Sequence, residues 1–420
     1  MARFDSLQGW LRWQEGLHPR VIDMGLDRAA GVYQQLNPDN VKPPTITVAG
    51  TNGKGSCIAF LEAIYRAQGY KVGAYTSPHI LKYNERIKID GQPVADDLIC
   101  SAFERIDAAR GEATLSYFEF GTLAALDLFW RSKVDVQLLE VGLGGRLDAV
   151  NIIDADAAIV TSICIDHVDW LGETREAIGQ EKAGIFRSGV PAVIGDTDPP
   201  QSLLAVARQK HTPLLRIGDD FGYRKTDGGW EWRYADRLLT QLPLPALQGE
   251  HQFRNAASVL TAISTLAERL PVSEQAMRQG LTEVKLSGRF QLIDSDIPVL
   301  LDVGHNPQAV RTLLEYLQQH YAGVKIHAVF AMMQDKDISG VIKIISPVIS
   351  AWYLAPLSNP RAASEAMVKQ CFNDNQVDHV TGGFANFSEA FSAAQQQAKQ
   401  DELILVFGSF FLVSEYLASC

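Results

Sequence analysis

Residues 45–56 read T-I-T-V-A-G-T-N-G-K-G-S. A β-branched apolar run enters a glycine-rich turn, which ends in Lys54, Gly55 and Ser56 at the head of a segment with helical spacing, residues 54–65. Strand, glycine turn, lysine and helix together make a phosphate cradle. Glycines let backbone N–H groups close on phosphate oxygens, the helix N-terminus adds partial positive charge, and the lysine supplies a point charge for the β and γ oxygens. Thr51, Asn52, Gly53, Lys54, Gly55 and Ser56 are therefore the expected ATP-binding residues. The loop departs from G-x-x-x-x-G-K-[ST]: Gly55 stands where that pattern has a hydroxyl, and Ser56 follows one position later. This departure argues against an ordinary kinase or GTPase.

Around the loop, apolar runs at 46–49, 72–75, 134–139 and 157–162 alternate with helical patterns such as 54–67 and 120–131. Uninterrupted apolar strands suit a largely parallel sheet covered on both faces, so the fold class is α/β. A second alternation follows Ser287-Gly288-Arg289. Strands are expected at 298–303, 324–330, 351–355 and 403–407, and helices at 307–318, 338–349, 362–371 and 387–399. The expected division is a P-loop-type domain over 1–287 and a smaller, Rossmann-like α/β domain over 288–420, with ATP in the cleft. Residues 216–244, rich in Trp, Arg, Asp and Gly, read as an excursion of short strands or loops, and 250–270 as an amphipathic helix beneath the first domain.

A chain of 420 residues is long for one core, and two or three domains is the ordinary outcome. Hydrophobic residues make up 46% and charged residues 21%, as in soluble globular proteins. The net charge of −11 leaves no basic stripe for nucleic acid. Residues 1–16 carry Arg3, Asp5, Arg12 and Glu15, unlike a secretory leader, and no apolar run is long enough to span a membrane. Five scattered cysteines (57, 100, 164, 371, 420) without a C-x-x-C read as free thiols in a reducing cytoplasm.

Further candidates lie at strand ends, where open α/β sheets bind ligands. Glu140 closes an apolar strand before the turn G-L-G-G-R, and a carboxylate beside triphosphate is a natural Mg²⁺ ligand. His167, between Asp166 and Asp169, follows another strand; Mg²⁺ prefers oxygen, so the residues alone leave its role open. Lys182, beside Glu181 and among apolar residues, reads as an ion-pair partner on the same terms. Ser77, His79 and Arg86 sit in a polar loop after the run 72–75, where Ser77 is placed to turn toward a metal and His79 and Arg86 toward an anionic substrate. Asn255 opens a helical pattern, Arg289 marks the domain boundary, and Asp302 ends a strand in D-V-G-H-N-P, a stretch equally readable as turn chemistry.

The motifs G-T-N-G-K-G-S, T-S-P-H, E-V-G-L-G-G-R-L-D-A-V-N, D-H-V-D-W-L-G, E-K-A-G-I-F, G-R-F and D-V-G-H-N-P occur in the order found in the Mur-ligase superfamily. Within it, the chain resembles the folylpolyglutamate and dihydrofolate synthases. The resemblance implies ATP-dependent ligation of L-glutamate to a pteroate or folate carboxyl through an acyl phosphate. It implies Lys54, Lys182, His167 and Arg289 as catalytic residues, and Asn255, Arg289 and Asp302 as further ATP ligands. The implied metal ligands are Ser56, Ser77, Glu140, His167 and a carbamylated Lys182, serving two Mg²⁺ ions, with a monovalent cation as a further ligand. Three stretches resemble the bifunctional bacterial members: Asp23, Met24, Gly25 and Leu26; Ser116, Tyr117, Phe118 and Glu119; and Leu147, Asp148 and Ala149. They imply a dihydropteroate site, with Phe118 offering a ring face and Asp23 hydrogen-bond acceptors. Dihydropteroate, reduced folates and L-glutamate are the implied partners, and a cytoplasmic monomer the implied state. A cell-wall ligase of the same superfamily is disfavoured, since the ATP loop begins too early for a preceding nucleotide-sugar domain.

Overall fold

The computed structural model describes residues 3–20, 22–39 and 41–419. The chain forms two compact units, one of residues 1–246 with 253–284, the other of 247–252 with 285–420.

The first unit is built on an eight-stranded sheet, in chain order β1 (Thr45–Ala49), β2 (Val72–Tyr75), β3 (Ile87–Ile89), β4 (Gln92–Pro93), β5 (Val136–Glu140), β6 (Ala157–Val160), β7 (Ala192–Ile194) and β8 (Leu214–Arg216). Its spatial order is β4-β3-β2-β5-β1-β6-β7-β8. All pairs from β2 to β8 are parallel, and the two pairs at the β4 edge are antiparallel. The expected strand 134–139 starts two residues later and ends one later, and 157–162 stops at Val160. β1 sits between β5 and β6, and the connections run to opposite sides of it; its carboxyl end is therefore a switch point, the natural ligand site of such a sheet.

The helices of this unit are α1 (Leu7–Leu17), α2 (Asp27–Leu36), α3 (Lys54–Gln68), α4 (Asp96–Arg110), α5 (Tyr117–Arg131), α6 (Val168–Leu171), α7 (Arg175–Lys182), α8 (Gln201–Gln209), α9 (His251–Thr265) and α10 (Glu274–Glu283). The apolar face of α3, with Phe60, Leu61 and Ile64 fully buried, anchors the phosphate-loop end of the sheet, each side chain contributing ~1.5–3 kcal/mol. α9 begins at His251, so Asn255 lies one turn inside the helix rather than at its opening. The excursion after β8 is a three-stranded antiparallel sheet, β9 (Phe221–Thr226), β10 (Gly229–Tyr234) and β11 (Arg237–Leu242). Trp230 and Trp232 are fully buried there, and the Trp232 indole N–H donates to Thr261 Oγ1 of α9 at 3.1 Å.

The second unit holds β12 (Gln291–Ile293), β13 (Val299–Asp302), β14 (Ile326–Phe330), β15 (Ala351–Leu354), β16 (Val380–Thr381) and β17 (Leu403–Phe407), ordered β12-β13-β17-β14-β15-β16. Only β12 runs antiparallel to its neighbour. The expected helix 338–349 is split, an α-helix over Ile338–Ile345 followed by a 3-10 turn over Ser346–Val348, because Pro347 has no N–H to continue the ladder. The expected helix 362–371 is displaced to Glu365–Asp374, where the Ser364 hydroxyl caps its first turn.

Candidate functional site

Register fixes which residues meet at the switch point. Val48 is level with Glu140 on one side and Ile159 on the other, and Tyr75 is level with Leu139. The segments leaving β1, β2, β5 and β6 therefore carry Gly50, Ser77, Glu140 and Thr161 to one edge. The loop needs its glycines. Gly50 has φ +147°, and a Cβ there would lie 1.8 Å from Thr161 Oγ1; Gly53 has φ +94°, with Asn255 Oδ1 2.8 Å from where its Cβ would be. The loop is tied to the segment after β6: Thr51 N donates to the Ser162 carbonyl at 2.6 Å, Cys164 N donates to Thr51 Oγ1 at 3.0 Å, and Thr161 Oγ1 donates to the Asn52 carbonyl at 2.7 Å. Lys54 opens α3 and donates from Nζ to the carbonyls of Gly50 (3.1 Å) and Thr51 (3.2 Å). Ser56, in the same first turn, is buried.

Glu140 is buried at the end of β5 and accepts from Ser77 N at 3.2 Å, so two of the expected metal ligands adjoin. Ser77 precedes Pro78 through a cis peptide bond. Lys182, the last residue of α7, is buried and donates from Nζ to the Gly50 carbonyl at 2.9 Å. Burial, reinforced by the like charge of Lys54, holds its pKa down to about 7. This is a lysine directed at the phosphate loop, whereas Glu181 pairs with Arg146 at 2.8 Å. The fit around Lys182 is backbone on backbone: Arg146 N donates to the Glu181 carbonyl, and a Cβ on Gly145 or Gly184 would strike the facing main chain. His167 caps α6 with φ +52°, its N–H donating to Asp166 Oδ1 at 2.8 Å. Three positions on, Trp170 is 46% exposed.

Among the described residues, no three His, Cys, Asp or Glu side chains gather into a metal site. The expected set is of another composition, with hydroxyls and a modified lysine beside Glu140 and His167. A glycine cradle that a Cβ would fill, an adjoining buried carboxylate and a helix N-terminus headed by lysine fit a triphosphate with a divalent ion.

The expected pterin residues fall into two groups. Phe118 packs its ring where a Cβ on Gly142 would lie, 2.6 Å away, and Met24 approaches Gly144, so both reach the turn after β5. Tyr117 meets Tyr83 edge-to-face, and Arg86 stands over both rings. Arg86 also donates to His79 Nδ1 at 2.8 Å, and burial, then the Arg86 charge, lowers the His79 pKa to about 4. Other members of the set serve the backbone. Ser116 and Glu119 form a capping box at the start of α5, Glu119 Oε2 accepting from Ser116 N at 2.7 Å. Asp148 accepts from Leu143 N (2.8 Å) and Val150 N (3.0 Å), which holds the 143–150 turn between Leu147 and Ala149; burial pushes its pKa up to about 6. Leu26 precedes α2, with Gly25 before it. Asp23 pairs with His18 and Arg28, and the His18 hydrogen bond holds its carboxyl below the usual range. Neither His18 nor Arg28 is among the expected site residues, although Arg28 follows Leu26, the last of the first expected stretch, by two positions.

In the second unit, Arg289 lies with its guanidinium 5.0 Å from the Phe410 ring centroid. Asp302 ends β13 and accepts from Gly304 N at 2.8 Å and Phe290 N at 3.3 Å; burial raises its pKa to about 6 against the Arg289 charge. Asn306 caps the helix Pro307–His320, which gives the H-N-P part of that motif a structural duty.

Residues 48–263 match the Mur ligase middle domain, and residues 288–410 the Mur ligase glutamate ligase domain. The chain belongs to the Mur ligase family. This Mur ligase is 43% identical to the dihydrofolate synthase/folylpolyglutamate synthase of Escherichia coli K12, over 98% of this chain and 94% of that protein. It is 40% identical to the protein of the same name from Haemophilus influenzae, over 98% and 97%. Its structure superposes on E. coli FolC in complex with DHPP and ADP with a TM-score of 0.93, at 42% identity, covering 99% of this chain and 97% of that one. The bifunctional enzyme of Yersinia pestis complexed with AMPPNP and Mn gives a TM-score of 0.91 at 43% identity, covering 99% and 98%.

Proposed function

We propose that this chain is an ATP-dependent ligase that adds L-glutamate to dihydropteroate, giving dihydrofolate, and to the tails of reduced folates, giving folylpolyglutamates. The observation that carries the reading is the meeting of Lys54, Lys182 and the Gly50 carbonyl beside Glu140, in a chain 43% identical, over 98% of its length, to a relative that bears both activities in its name. The phosphate loop holds ATP, with Asn255, whose amide adjoins Gly53, and Arg289 and Asp302 as further nucleotide ligands. Two divalent ions would be held by Ser56, Ser77, Glu140, His167 and carbamylated Lys182, where they would neutralise phosphate charge; a monovalent cation would be a further ligand. The lowered pKa of Lys182 leaves a share of neutral amine at neutral pH, the form that captures CO₂. The acceptor carboxylate attacks the γ-phosphorus and releases ADP. The glutamate amine then displaces phosphate from the acyl phosphate and loses a proton as the amide forms. Lys54 and Arg289 supply charge and position. We assign the catalytic and pterin domain to 1–287 and the glutamate-ligase domain to 288–420, in a monomer. Cys57, Cys100, Cys164 and Cys371 are free thiols, which supports a reducing cytoplasm; Cys420 lies outside the described residues. No helix among the described residues is long and apolar enough to cross a membrane.

The test is ADP release with Mg-ATP and L-glutamate, comparing dihydropteroate with a reduced folyl-monoglutamate. Release with both acceptors establishes the bifunctional reading; release with the folate alone leaves a polyglutamate synthase; release with neither overturns the assignment. In the same assay Lys54→Ala should cut turnover by ~10²–10³-fold or more, with an unchanged circular dichroism spectrum. Near wild-type turnover would remove Lys54 from the mechanism.

A further inference from the structure

Asp23 lies between α1 and α2, where no helix or strand holds the backbone of the described residues. Side chains hold it instead. His18 Nε2 is 2.9 Å from Asp23 Oδ2, and His18 Nδ1 is 2.8 Å from Thr114 Oγ1. An ionised carboxylate only accepts, so the His18 proton on this contact sits on Nε2. Arg28 closes the other side, with Nη1 2.9 Å from Asp23 Oδ2 and Nη2 donating to the Asp23 carbonyl at 3.0 Å. The same Nη2 is 3.1 Å from Glu119 Oε1, while Glu119 Oε2 is committed to the Ser116 N–H. The Arg28 fork thus joins the Asp23 stretch to the first turn of α5, where Phe118 sits between the two capping-box residues. Asp23 Oδ2 is thus hydrogen-bonded to His18 and ion-paired with Arg28. Among the described residues, Oδ1 meets Arg20 alone, at 3.5 Å and on a largely exposed side chain, which leaves this oxygen to receive N–H groups from a ligand.

We propose that His18 and Arg28 are positioning residues for the pterin end of the acceptor, holding Asp23 with Oδ1 outward and in fixed relation to Phe118. The proposal rests on the reading of Asp23 as a dihydropteroate contact. It is a preorganisation argument: a carboxylate already held in one orientation loses little freedom when ligand binds. A lysine at position 28 would keep the charge but cannot span two partners as the planar fork does.

The experiment measures initial rates with dihydropteroate varied, then with ATP varied, for Arg28→Gln, Arg28→Lys, His18→Gln and Asp23→Asn. Arg28→Gln and His18→Gln should raise KM for dihydropteroate by ~10-fold, leaving kcat and KM for ATP within about 2-fold, the signature of lost acceptor binding alone. Arg28→Lys should fall between these and the wild type. A parallel loss in kcat, both KM values and thermal midpoint would overturn the proposal, because it would mark the network as a plain structural staple. If Arg28→Gln does not fold, Arg28→Lys and His18→Gln carry the same test. Failure of the underlying reading is separable: Asp23→Asn would then leave KM for dihydropteroate unchanged. A raised KM in Asp23→Asn with unchanged values in the His18 and Arg28 variants would sink this proposal alone.

Discussion

Replacing Lys182 with methionine is expected to raise the thermal midpoint at neutral pH and to abolish glutamate-dependent ADP release. In the folded protein kept free of CO₂, so that Lys182 is uncarbamylated, the amine gives up its proton near pH 7, whereas in the unfolded chain it holds it to its ordinary value of 10.5. Between those values the unfolded chain binds more protons, so the stability of the wild type rises with pH across that window. At and below about pH 7 the full cost of charging a buried amine is present, on the order of 5 kcal/mol at ~1.4 kcal/mol per pH unit. Methionine removes that cost but loses the hydrogen bond to Gly50, worth ~1 kcal/mol, so a net gain of ~2–4 kcal/mol is expected at pH 6.5. Urea denaturation of both proteins at pH 6.5 and 9.5 checks the sign. The gap must narrow at the higher pH, and a gap that does not narrow rejects a depressed lysine. On the functional side, Lys182→Ala should regain part of its activity with acetate or propionate, whose carboxylates can stand where a carbamate would.

The second large effect is mechanical. Gly184→Ala would place a Cβ 2.2 Å from Arg146 Cα and 2.6 Å from Arg146 N. Both obstacles are main chain, so no rotamer change relieves the collision, and the Gly145–Arg146 turn must move off the end of α7. The expected loss is ~3–5 kcal/mol, a fall in midpoint of ~10 °C for a unit of this size. Loss of turnover should accompany it even below the midpoint, since the displaced turn packs against the main chain of Lys182. Gly31→Ala is the control: it lies in α2 with open space where its Cβ would be, so alanine should be neutral or stabilising by up to ~1 kcal/mol. Equal midpoints for the two variants would contradict the close approach.

The parts of the site that were legible in the sequence are those whose chemistry demands a local pattern. The phosphate loop needs glycines, a lysine and a helix within a dozen residues, and Glu140 sits where a strand ends. What was missed depends on contacts distant in sequence. The Arg28 fork reaches Glu119, and Lys182 finds its partner in Gly50; neither pairing leaves a trace in spacing. Residues 247–252 pack with the second unit although the chain around them belongs to the first. A third class was readable and went unread. Ser116-x-x-Glu119 is a capping-box signature, and Pro347 announces the break in the helix after Ile345. The α4 helix belongs to the same class, with Ile99, Ala102, Phe103 and Ile106 recurring at helical spacing on its buried face.

Of the seven tryptophans, Trp170 alone is exposed, whereas Trp10, Trp230, Trp232 and Trp352 are closed off from solvent. A collisional quencher such as iodide therefore reaches chiefly one emitter. That emitter stands three residues beyond His167, in the four-residue helix His167 begins. The protein carries a built-in optical marker at the edge of its candidate site, and occupancy of the neighbouring turn is open to reading from light emission without a label.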